Sequence, residues 1–564
     1  MLLGWFILLP IDYAKLAKHV SASLHFFSNH VYLKESGYFD TDAFAKALLH
    51  TWSLSVEWQF YLLLPVLLTV IYKLKSSRKL LVYLYILGII LSFSAAIIMG
   101  YKQPSAGFYV LPTRTWELLF GGLLFFIPPL KSSLKTSLEY LGFLLVLSSL
   151  IVLDSSMPWP SYNALLPVLG TCLILAAQNN ASRFTRPKVM QWLGEKSYSI
   201  YLWHWPILFF IHYFYKQDQG LYIGLGLMLS ILFGWISYQS IEAPTRRYLT
   251  QQSNKKNIII WIVAVGSLTL VCSMIQRSQG VSARFSEDIM SIMNVSEDKN
   301  PRLDECLLPI HGSDIKTCRY GQGPLSLIVV GDSHADAMMN GILHALPPHS
   351  AMITYTMSGC PTVEALKMSS DPKYQCGERI TKIIQDLQSY PSHIPVLVVN
   401  RANAIFQGQP ENDPSGAPTR YVQHPHDAFN ASYFQEMETA YLSTLNKLSQ
   451  SHPVFVTRPT PEAPVNVVNL ASRVKQYSLD DSQLKIRRAD YMKRSELTWQ
   501  AQDKAAEQFG IHLIDLSSFF CDQQFCHFTD QGMPLFRDDD HMSWTASKQL
   551  APLFQQALFP SLSK

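Results

Sequence analysis

The sequence has little net charge and no stripe of basic residues. Lys and Arg number 46 and Asp and Glu 42 among 564 residues, which leaves a formal charge of +4 at pH 7. A protein that binds a nucleic acid backbone needs clustered cations to neutralise the phosphates. The balanced charge therefore argues against this class, and we predict no nucleic acid partner.

The first half of the chain also has few charges inside its long apolar stretches. Before about residue 276 the chain is a series of such stretches joined by short polar links. Any one of them could be a buried helix of a soluble protein, but eight in series favour a membrane domain, since a spanning helix needs about 20 apolar residues. The predicted spans are 58–74, 80–100, 115–128, 138–153, 162–177, 197–215, 221–241 and 257–276.

Basic residues are scarce in every second link between these spans. The links after the first, third, fifth and seventh spans carry Lys and Arg, whereas links such as DSSMPWPS and KQDQG carry few. Positively charged links stay in the cytoplasm. We therefore expect residues 11–57, and everything after residue 276, on the outer side of the membrane.

The cysteines agree with this orientation. Two lie in predicted spans, and the other six form three pairs that are close in sequence. An even set outside the membrane predicts disulfides in an oxidising compartment, with six free buried thiols as the alternative. Cys-x-x-Cys spacing is missing, so we predict no metal site. The pairs are Cys306 with Cys318, Cys360 with Cys376, and Cys521 with Cys526.

The chain starts with MLLGWFILLP, which has no charged residue at its beginning and too few apolar residues to cross a bilayer. We interpret this stretch as the last turns of a helix whose earlier part is absent. We therefore expect the membrane domain, residues 1–276, to lack its first spans.

HTWSLSVEWQFYLLLP, residues 50–65, resembles a signature of the acyltransferase-3 family of integral membrane acyltransferases. SGYFD precedes it, and TRTWELLFGGLL, EKSYSIYLWHWPI and IEAPTRR follow in the family's order. Trp58 stands where the family usually has a glutamate. The resemblance implies a multi-span enzyme of the bacterial inner membrane, in contact with lipid, whose outer domain lies in the periplasm. It would carry no bound cofactor and would move an acyl group, commonly acetyl, from cytoplasmic acetyl-CoA to envelope carbohydrate.

Four ionisable residues lie in or beside the predicted spans, where burial in lipid is costly and a functional role is the first hypothesis. Arg114 and Glu117 are three residues apart and can pair on one helical face, either as a structural ion pair or at a substrate site. His204 lies between two tryptophans, where a hydrogen-bonded packing role is the favoured interpretation. Glu57 lies at the outer end of a span, where it could also cap the helix.

The second half alternates predicted strands with helices. This alternation favours a parallel sheet covered by helices on both faces, a flavodoxin-like three-layer α/β domain over residues 306–564. Residues 277–305 are polar and uneven, and we predict a linker there. The predicted strands are 325–330, 351–356, 396–400, 454–457 and 512–516.

GDSHADAMM places Ser333 just after the first of these strands, at the edge where such folds have active sites. A serine nucleophile needs a base, and the base needs an orienting partner. DDDHMSW supplies both in His541 and Asp538, ahead of a helix that Ser543 would cap. Gly-Asp-Ser alone could be a simple capped turn, and the Gly-x-Ser-x-Gly elbow of other hydrolases is missing.

A Gly-Asp-Ser turn after a strand, combined with a terminal Asp-x-x-His, resembles the SGNH hydrolase superfamily. The resemblance implies that Ser333 is the nucleophile, His541 the base and Asp538 the partner of that base. It also implies a glycine and an asparagine that stabilise an oxyanion, each worth roughly 3–4 kcal/mol of barrier.

Gly359, after the second predicted strand, is the candidate glycine. Asn403 is the candidate asparagine, with Asn400 close behind, and Arg401 stands where the superfamily has a glycine. A disulfide from Cys360 would stiffen the loop of Gly359 or simply tie the domain together.

The two resemblances together imply an O-acyltransferase in which an acyl group passes through the membrane half to Ser333 and then to a sugar hydroxyl. The acceptor would be lipopolysaccharide O-antigen, another surface glycan or peptidoglycan. A surface-glycan O-acetyl esterase uses the same triad and is an alternative, although eight spans exceed what an anchor needs. A truncated product with an inactive membrane half is the other alternative.

Overall fold

A computed structural model describes residues 1–562, except 37–42, 75–76, 129, 155–156, 180–181, 370 and 409–416. Most of the SGYFD motif lies outside the described residues. The chain folds into two compact units, Met1–Ser282 and Ala283–Lys564.

All the regular secondary structure among the described residues of the first unit is helical. Each of the eight predicted spans falls on one or more helices, and further helices precede them. The helices are α1 (Leu2–Ile7), α2 (Pro10–Leu24), α3 (Ser28–Glu35), α4 (Thr51–Leu74), α5 (Arg78–Lys102), α6 (Pro104–Tyr109), α7 (Thr115–Leu123), α8 (Ser132–Val152), α9 (Leu165–Ala177), α10 (Lys188–Tyr213), α11 (Gly220–Ser237), α12 (Ala243–Thr250) and α13 (Asn254–Arg277).

Five of the described helices are long and apolar enough to cross a membrane, which is fewer than the eight predicted spans. The predicted spans at 115–128 and 162–177 form helices that are too short. The predicted span at 197–215 lies in α10 up to Tyr213. This helix is long, but its Tyr, Trp and His side chains lower the mean hydropathy. The five are Thr51–Lys73, Arg78–Lys102, Leu134–Val152, Gly220–Thr250 and Asn254–Arg277.

The short helix α9 packs closely against α8 through two glycines. A Cβ atom on Gly142 would lie 2.6 Å from the carbonyl oxygen of Gly170, and a Cβ on Gly170 would lie 2.8 Å from that of Gly142. Small residues that let two backbones approach are typical of helix pairs in membranes, where apolar burial alone gives no driving force.

The second unit contains a mostly parallel sheet. The described strands of the unit are β1 (Leu307–Leu308), β2 (Cys318–Gly321), β3 (Leu325–Gly331), β4 (Ala351–Met357), β5 (Lys367–Met368), β6 (Val396–Val399), β7 (Arg420–Tyr421), β8 (Val454–Thr457), β9 (Lys485–Arg487), β10 (His512–Ile514), β11 (Phe525–His527), β12 (Thr529–Asp530) and β13 (Met533–Pro534). The five predicted strands are confirmed as β3, β4, β6, β8 and β10.

These five strands lie parallel in the order β4-β3-β6-β8-β10, with β1 and β2 both pairing with β4. If they are counted along the chain, their order is 2-1-3-4-5, which is the flavodoxin order. The strand order reverses between β3 and β6, and ligand sites in such sheets lie beyond the carboxyl ends of the strands at this point. Ser333 follows β3 and therefore lies at this position.

Helices cover both faces of the sheet, as predicted. Ile328 and Val330 of β3 point into a core that includes Ile380, Tyr433 and Ala501. Leu327 and Val329, on the opposite face, are fully buried as well. The helices of this unit are α14 (Glu287–Asn294), α15 (Leu303–Cys306), α16 (Ser333–Ala337), α17 (Met339–Ala345), α18 (Cys376–Leu387), α19 (Asn403–Gln407), α20 (Ala431–Ser449), α21 (Val467–Tyr477), α22 (Arg488–Phe509), α23 (Ser517–Phe520), α24 (Trp544–Ser547) and α25 (Ala551–Leu558).

Residues 277–305, which the sequence predicts to be a linker, contain a helix and buried side chains. The division between the two units falls at residues 282–283. The following helix α14 buries Ile289 and Ile292 and packs against α21. Asn300 is buried and donates to Asp336 at 2.6 Å. The polar composition of this segment obscured an amphipathic helix, which buries its two isoleucines.

The three predicted cysteine pairs form disulfides: Cys306–Cys318, Cys360–Cys376 and Cys521–Cys526. Each closes a short local loop, and a cross-link over about 15 residues is worth about 3 kcal/mol through the unfolded state.

Candidate functional site

Three adjacent strand ends bring the candidate catalytic segments together. Gly331, the last residue of β3, is in register with Thr356 of β4 on one side and with Val399 of β6 on the other. The segments that begin with Asp332, Ser358 and Asn400 therefore leave the sheet at the same edge. Gly331 has no room for a side chain, because a Cβ atom would lie 2.0 Å from the carbonyl oxygen of Val399.

The buried carboxylate of Asp332 joins two of these segments. One oxygen accepts from the backbone N–H of His334 at 2.9 Å, which caps α16. The other oxygen accepts from the backbone N–H of Arg401 at 2.9 Å. Asp332 thus holds the Ser333 turn against the segment that follows β6, so its role is to position rather than to react.

Ser333, His541 and Asp538 are in contact, although 208 residues separate the serine from the histidine. The Oγ atom of Ser333 lies 2.7 Å from Nε2 of His541. Nδ1 of His541 lies 3.0 Å from Oδ2 of Asp538. The other oxygen of Asp538 accepts from the backbone N–H groups of Asp540 and His541, which fixes the turn. This arrangement can move a proton from the serine to the imidazole.

Sequence reasoning missed a second carboxylate beside His541. Oδ1 of Asp540 lies 2.7 Å from Nδ1 of His541, and Asp540 is only 3% exposed. Its Oδ2 forms an ion pair with Arg401 at 2.6 Å and lies 3.4 Å from Nε2 of His334. The run of three aspartates before His541 was the available signal, but spacing alone did not distinguish Asp540 from its neighbours.

The two carboxylates control the charge of the imidazole. Burial lowers the pKa of His541, but the attraction of Asp540 and then of Asp538 outweighs it, so that the pKa lies well above its usual value. Burial raises the pKa of Asp538, and the attraction of His541 outweighs this and lowers it below the usual value. The site therefore favours an imidazolium between two carboxylates, which is the charge state that follows proton removal from a serine.

Gly359 lies in the turn after β4 with a φ of 63°, a conformation that favours glycine. Its carbonyl oxygen accepts from the hydroxyl of Tyr374 at 3.0 Å and from Arg420 at 3.2 Å. The disulfide from the adjacent Cys360 to Cys376 also holds this turn. The oxyanion role of Gly359, which its backbone N–H would serve, stays a prediction.

The structure does not support the predicted oxyanion role of Asn403. Its amide donates to Ser495 at 3.1 Å and its carbonyl accepts from Thr498 at 2.9 Å, so the side chain is bound to α22. Asn400 lies directly after β6, one residue past Val399. Its Oδ1 accepts from the N–H of Thr362, and its buried Nδ2 has no hydrogen-bond partner among the described residues. An unpaired buried donor at this edge makes Asn400 the better candidate.

Replacing Asn400 by alanine is expected to lower kcat by roughly 100- to 1,000-fold, as for loss of one oxyanion donor, with little change in KM. The matched variant Asn403→Ala is expected to lower the melting temperature and to leave kcat of the folded fraction within a few fold. Ester hydrolysis and thermal unfolding of both purified variants would check this. A larger kcat loss in Asn403→Ala would restore the original assignment.

In the first unit, the predicted pair of Arg114 and Glu117 forms at 3.0 Å. Arg114 is 6% exposed and also donates to the carbonyl of Phe108. Its guanidinium lies 5.2 Å from the ring centroid of Trp52 and 5.9 Å from that of Trp159. The cation is thus enclosed by aromatic faces with one carboxylate beside it, an arrangement that suits either a structural pair or an anion-binding site.

His204 bonds through Nδ1 to the carbonyl of Tyr201, as a packing histidine would. The centroid of its ring lies 5.3 Å from that of His50, a residue that the sequence analysis did not predict to be functional. His50 is buried, and neither of its ring nitrogens has a hydrogen-bond partner among the described residues. Its place at the start of the quoted HTWSLSVEW motif was the available signal. Glu57 lies in the second turn of α4 and is partly exposed.

Comparison with known families gives two matches. Residues 1–276 match the family described as "Acyltransferase domain". Residues 304–556 match the family described as "SGNH domain (fused to AT3 domains)". One family match falls in each of the two structural units. The first match and the long apolar helices together indicate a membrane protein.

The chain is also similar to individual proteins. O-acetyltransferase OatA of Staphylococcus aureus (strain NCTC 8325 / PS 47) is 30% identical over 248 residues, which cover 40% of this chain and 40% of that protein. Putative O-acetyltransferase SAR0937 of Staphylococcus aureus (strain MRSA252) is 28% identical over 310 residues, covering 50% and 51%. The chain thus aligns with about half or less of these relatives' length.

One solved structure is similar, that of the lipopolysaccharide acetyltransferase periplasmic domain of Salmonella ser. Paratyphi A. It is 15% identical with a TM-score of 0.31, and the match covers 43% of this chain and 85% of that one.

Proposed function

This chain belongs to the acyltransferase-3 proteins with a fused SGNH domain, and on that basis we propose that it transfers acetyl groups to hydroxyl groups of cell-envelope carbohydrate. The observation that carries the proposal is the contact of Ser333 with His541 and of His541 with Asp538. The names of the relatives, which are O-acetyltransferases, support acetyl as the acyl group.

The proposed reaction has two halves. Oγ of Ser333 attacks the acyl carbonyl while Nε2 of His541 takes the hydroxyl proton. The tetrahedral oxyanion accepts hydrogen bonds from Asn400 and from the backbone N–H of Gly359. His541 then returns the proton to the leaving group, and an acetyl ester remains on Ser333.

In the second half a sugar hydroxyl takes the place of the leaving group. His541 removes its proton, the sugar oxygen attacks the ester carbonyl, and Ser333 leaves and regains the proton. Water would give hydrolysis by the same steps, so transfer requires that the acceptor hold the position that water would otherwise occupy.

We assign the donor step to the membrane half. The acyl donor would be cytoplasmic acetyl-CoA, and the acceptor a glycan of the envelope such as lipopolysaccharide O-antigen or peptidoglycan. We propose that the protein lies in the inner membrane with its second unit in the periplasm, and the basic links on one side of the predicted spans support this orientation. The enclosed cation of Arg114 is our candidate for holding an anionic group of the donor or a developing negative charge.

Replacing Arg114 by glutamine is expected to reduce glycan acetylation in cells at least about tenfold, because the buried guanidinium and its pairing with Glu117 are lost. Ser333-dependent hydrolysis of p-nitrophenyl acetate by the same purified chain should remain within a few fold. The matched control is Arg186→Gln, which removes an exposed arginine of the same unit. Alkali-labile acetyl on purified envelope glycan is the measurement.

The same assay separates transfer from the esterase alternative. If Ser333→Ala raises glycan acetylation above wild type, the protein removes acetyl groups and the proposal fails. If Arg114→Gln acetylates at the wild-type level, the assignment of the donor step to this residue fails.

A further inference from the structure

Three side chains with metal-binding atoms, none of them used by the proposed acyl transfer, converge at the start of α20. His424 and His426 lie between β7 and α20, and Glu436 lies on α20. Nε2 of His426 is 3.0 Å from Oε2 of Glu436, and Nδ1 of His424 is 3.6 Å from the same oxygen. One ligating atom from each residue lies within 4.8 Å of those of the other two.

These distances fit one small cation. Ligand atoms bound tetrahedrally to zinc at about 2.0–2.1 Å stand roughly 3.4 Å apart, close to the two distances observed. Two imidazoles and one carboxylate suit zinc, whereas magnesium and calcium prefer sets made of oxygen alone. The donor atoms therefore favour zinc over magnesium and calcium.

Two of the three ligands are already held in place. Oε1 of Glu436 accepts from the backbone N–H groups of Val422 at 2.8 Å and Gln423 at 2.9 Å, which leaves Oε2 facing the histidines. The ring of His426 is buried and packs edge-on against Tyr433 at 5.4 Å.

The third ligand is exposed and lies beside open space. The side chain of His424 is 64% exposed. His424 and Glu436 both line a cavity of about 780 Å³, which leaves room for water or another ligand at a fourth position. A three-ligand site with one open position is the pattern of an accessible zinc centre rather than of a closed structural one.

We propose that His424, His426 and Glu436 bind a zinc ion. Binding would replace the hydrogen bond between His426 and Glu436 with bonds from both residues to the ion. The ion would fasten the segment after β7 to α20. Arg420 of β7 donates to the carbonyl of Gly359, so this segment also supports the turn of the proposed oxyanion site.

The test uses the full-length chain in detergent, stripped with a chelator and titrated with zinc chloride by calorimetry. We expect one zinc per chain and a higher melting temperature with zinc than without. His424→Ala removes an exposed ligand without opening the core, and it should weaken binding at least about tenfold and reduce the thermal shift. Glu436→Gln should do the same. The matched control is His393→Ala, which removes an exposed histidine elsewhere in the unit.

Two results would overturn the proposal. One is a wild-type chain that binds no more zinc than His424→Ala. The other is zinc binding that is unchanged in His424→Ala but lost in His541→Ala. That result would move the ion to His334, Asp540 and His541, which form a second group of possible ligands. Neither readout involves acyl transfer, so these outcomes are independent of the proposed function.

Discussion

Replacing Ser333 by alanine is expected to abolish ester hydrolysis and glycan acetylation. Removal of a serine nucleophile from a triad lowers kcat by roughly a million-fold where chemistry limits the rate, because the attacking hydroxyl is lost. The hydroxyl of Ser333 has its base at 2.7 Å, and only its Oγ is lost in the variant. The substitution should leave the melting temperature nearly unchanged.

An acceptor-independent assay sharpens this prediction. A fluorophosphonate probe should label the wild-type chain covalently and should fail to label Ser333→Ala. The matched control is Ser392→Ala, which removes an exposed serine of the same unit and should label normally. Equal labelling of Ser333→Ala and the wild type would remove Ser333 as the nucleophile.

Sequence patterns predicted the strands because a strand depends on local apolar periodicity. They predicted the contact of the three candidate catalytic residues because each of these residues lies in a short motif of specific residue types. Five strands of the second unit, three disulfides and the Ser333, His541 and Asp538 contact all follow from short motifs with a strong physical reason. The flavodoxin strand order then explains why segments so far apart in sequence meet at one edge of the sheet.

The sequence could not decide the role of a side chain where that role depends on its partner. Asn400 and Asn403 have the same chemistry and lie in the same short segment, and only the hydrogen bonds of Asn403 to α22 distinguish them. Asp540 was missed for the same reason. The proposed zinc ligands were not predicted because Cys-x-x-Cys spacing was the only metal signal considered, whereas Glu436 lies ten residues beyond His426.

The second large effect concerns the two carboxylates beside His541. Asp538→Asn should lower kcat by about 10,000-fold, since an amide here no longer fixes the imidazole tautomer. Asp540→Asn should cost less than about 100-fold, because the hydrogen bond from Asp538 remains. The difference would show that Asp538 orients the base and that Asp540 adjusts its charge.

The pH profile separates these roles. The base must be neutral to accept the proton of Ser333, so kcat/KM rises with pH through the pKa of His541 in the free enzyme. Both carboxylates raise that pKa, which places the acid limb of the wild type above the ordinary range of histidine. Asp540→Asn removes one negative charge, lowers the pKa and should move the limb to lower pH.

Arg401→Gln should move the same limb in the opposite direction. Arg401 lies 2.6 Å from Oδ2 of Asp540 and partly neutralises it, so its loss strengthens the attraction of Asp540 for the imidazolium and raises the pKa of His541. Glu462, which also pairs with Arg401, keeps its ion pair with Arg494 at 2.9 Å, which limits damage to the fold. The matched control is Arg487→Gln, on the surface, which should leave the profile in place. Asp540 raises the pKa of His541, and Arg401 weakens this effect, so removal of the two side chains should shift the acid limb in opposite directions. Shifts of the same sign in Asp540→Asn and Arg401→Gln would contradict this account.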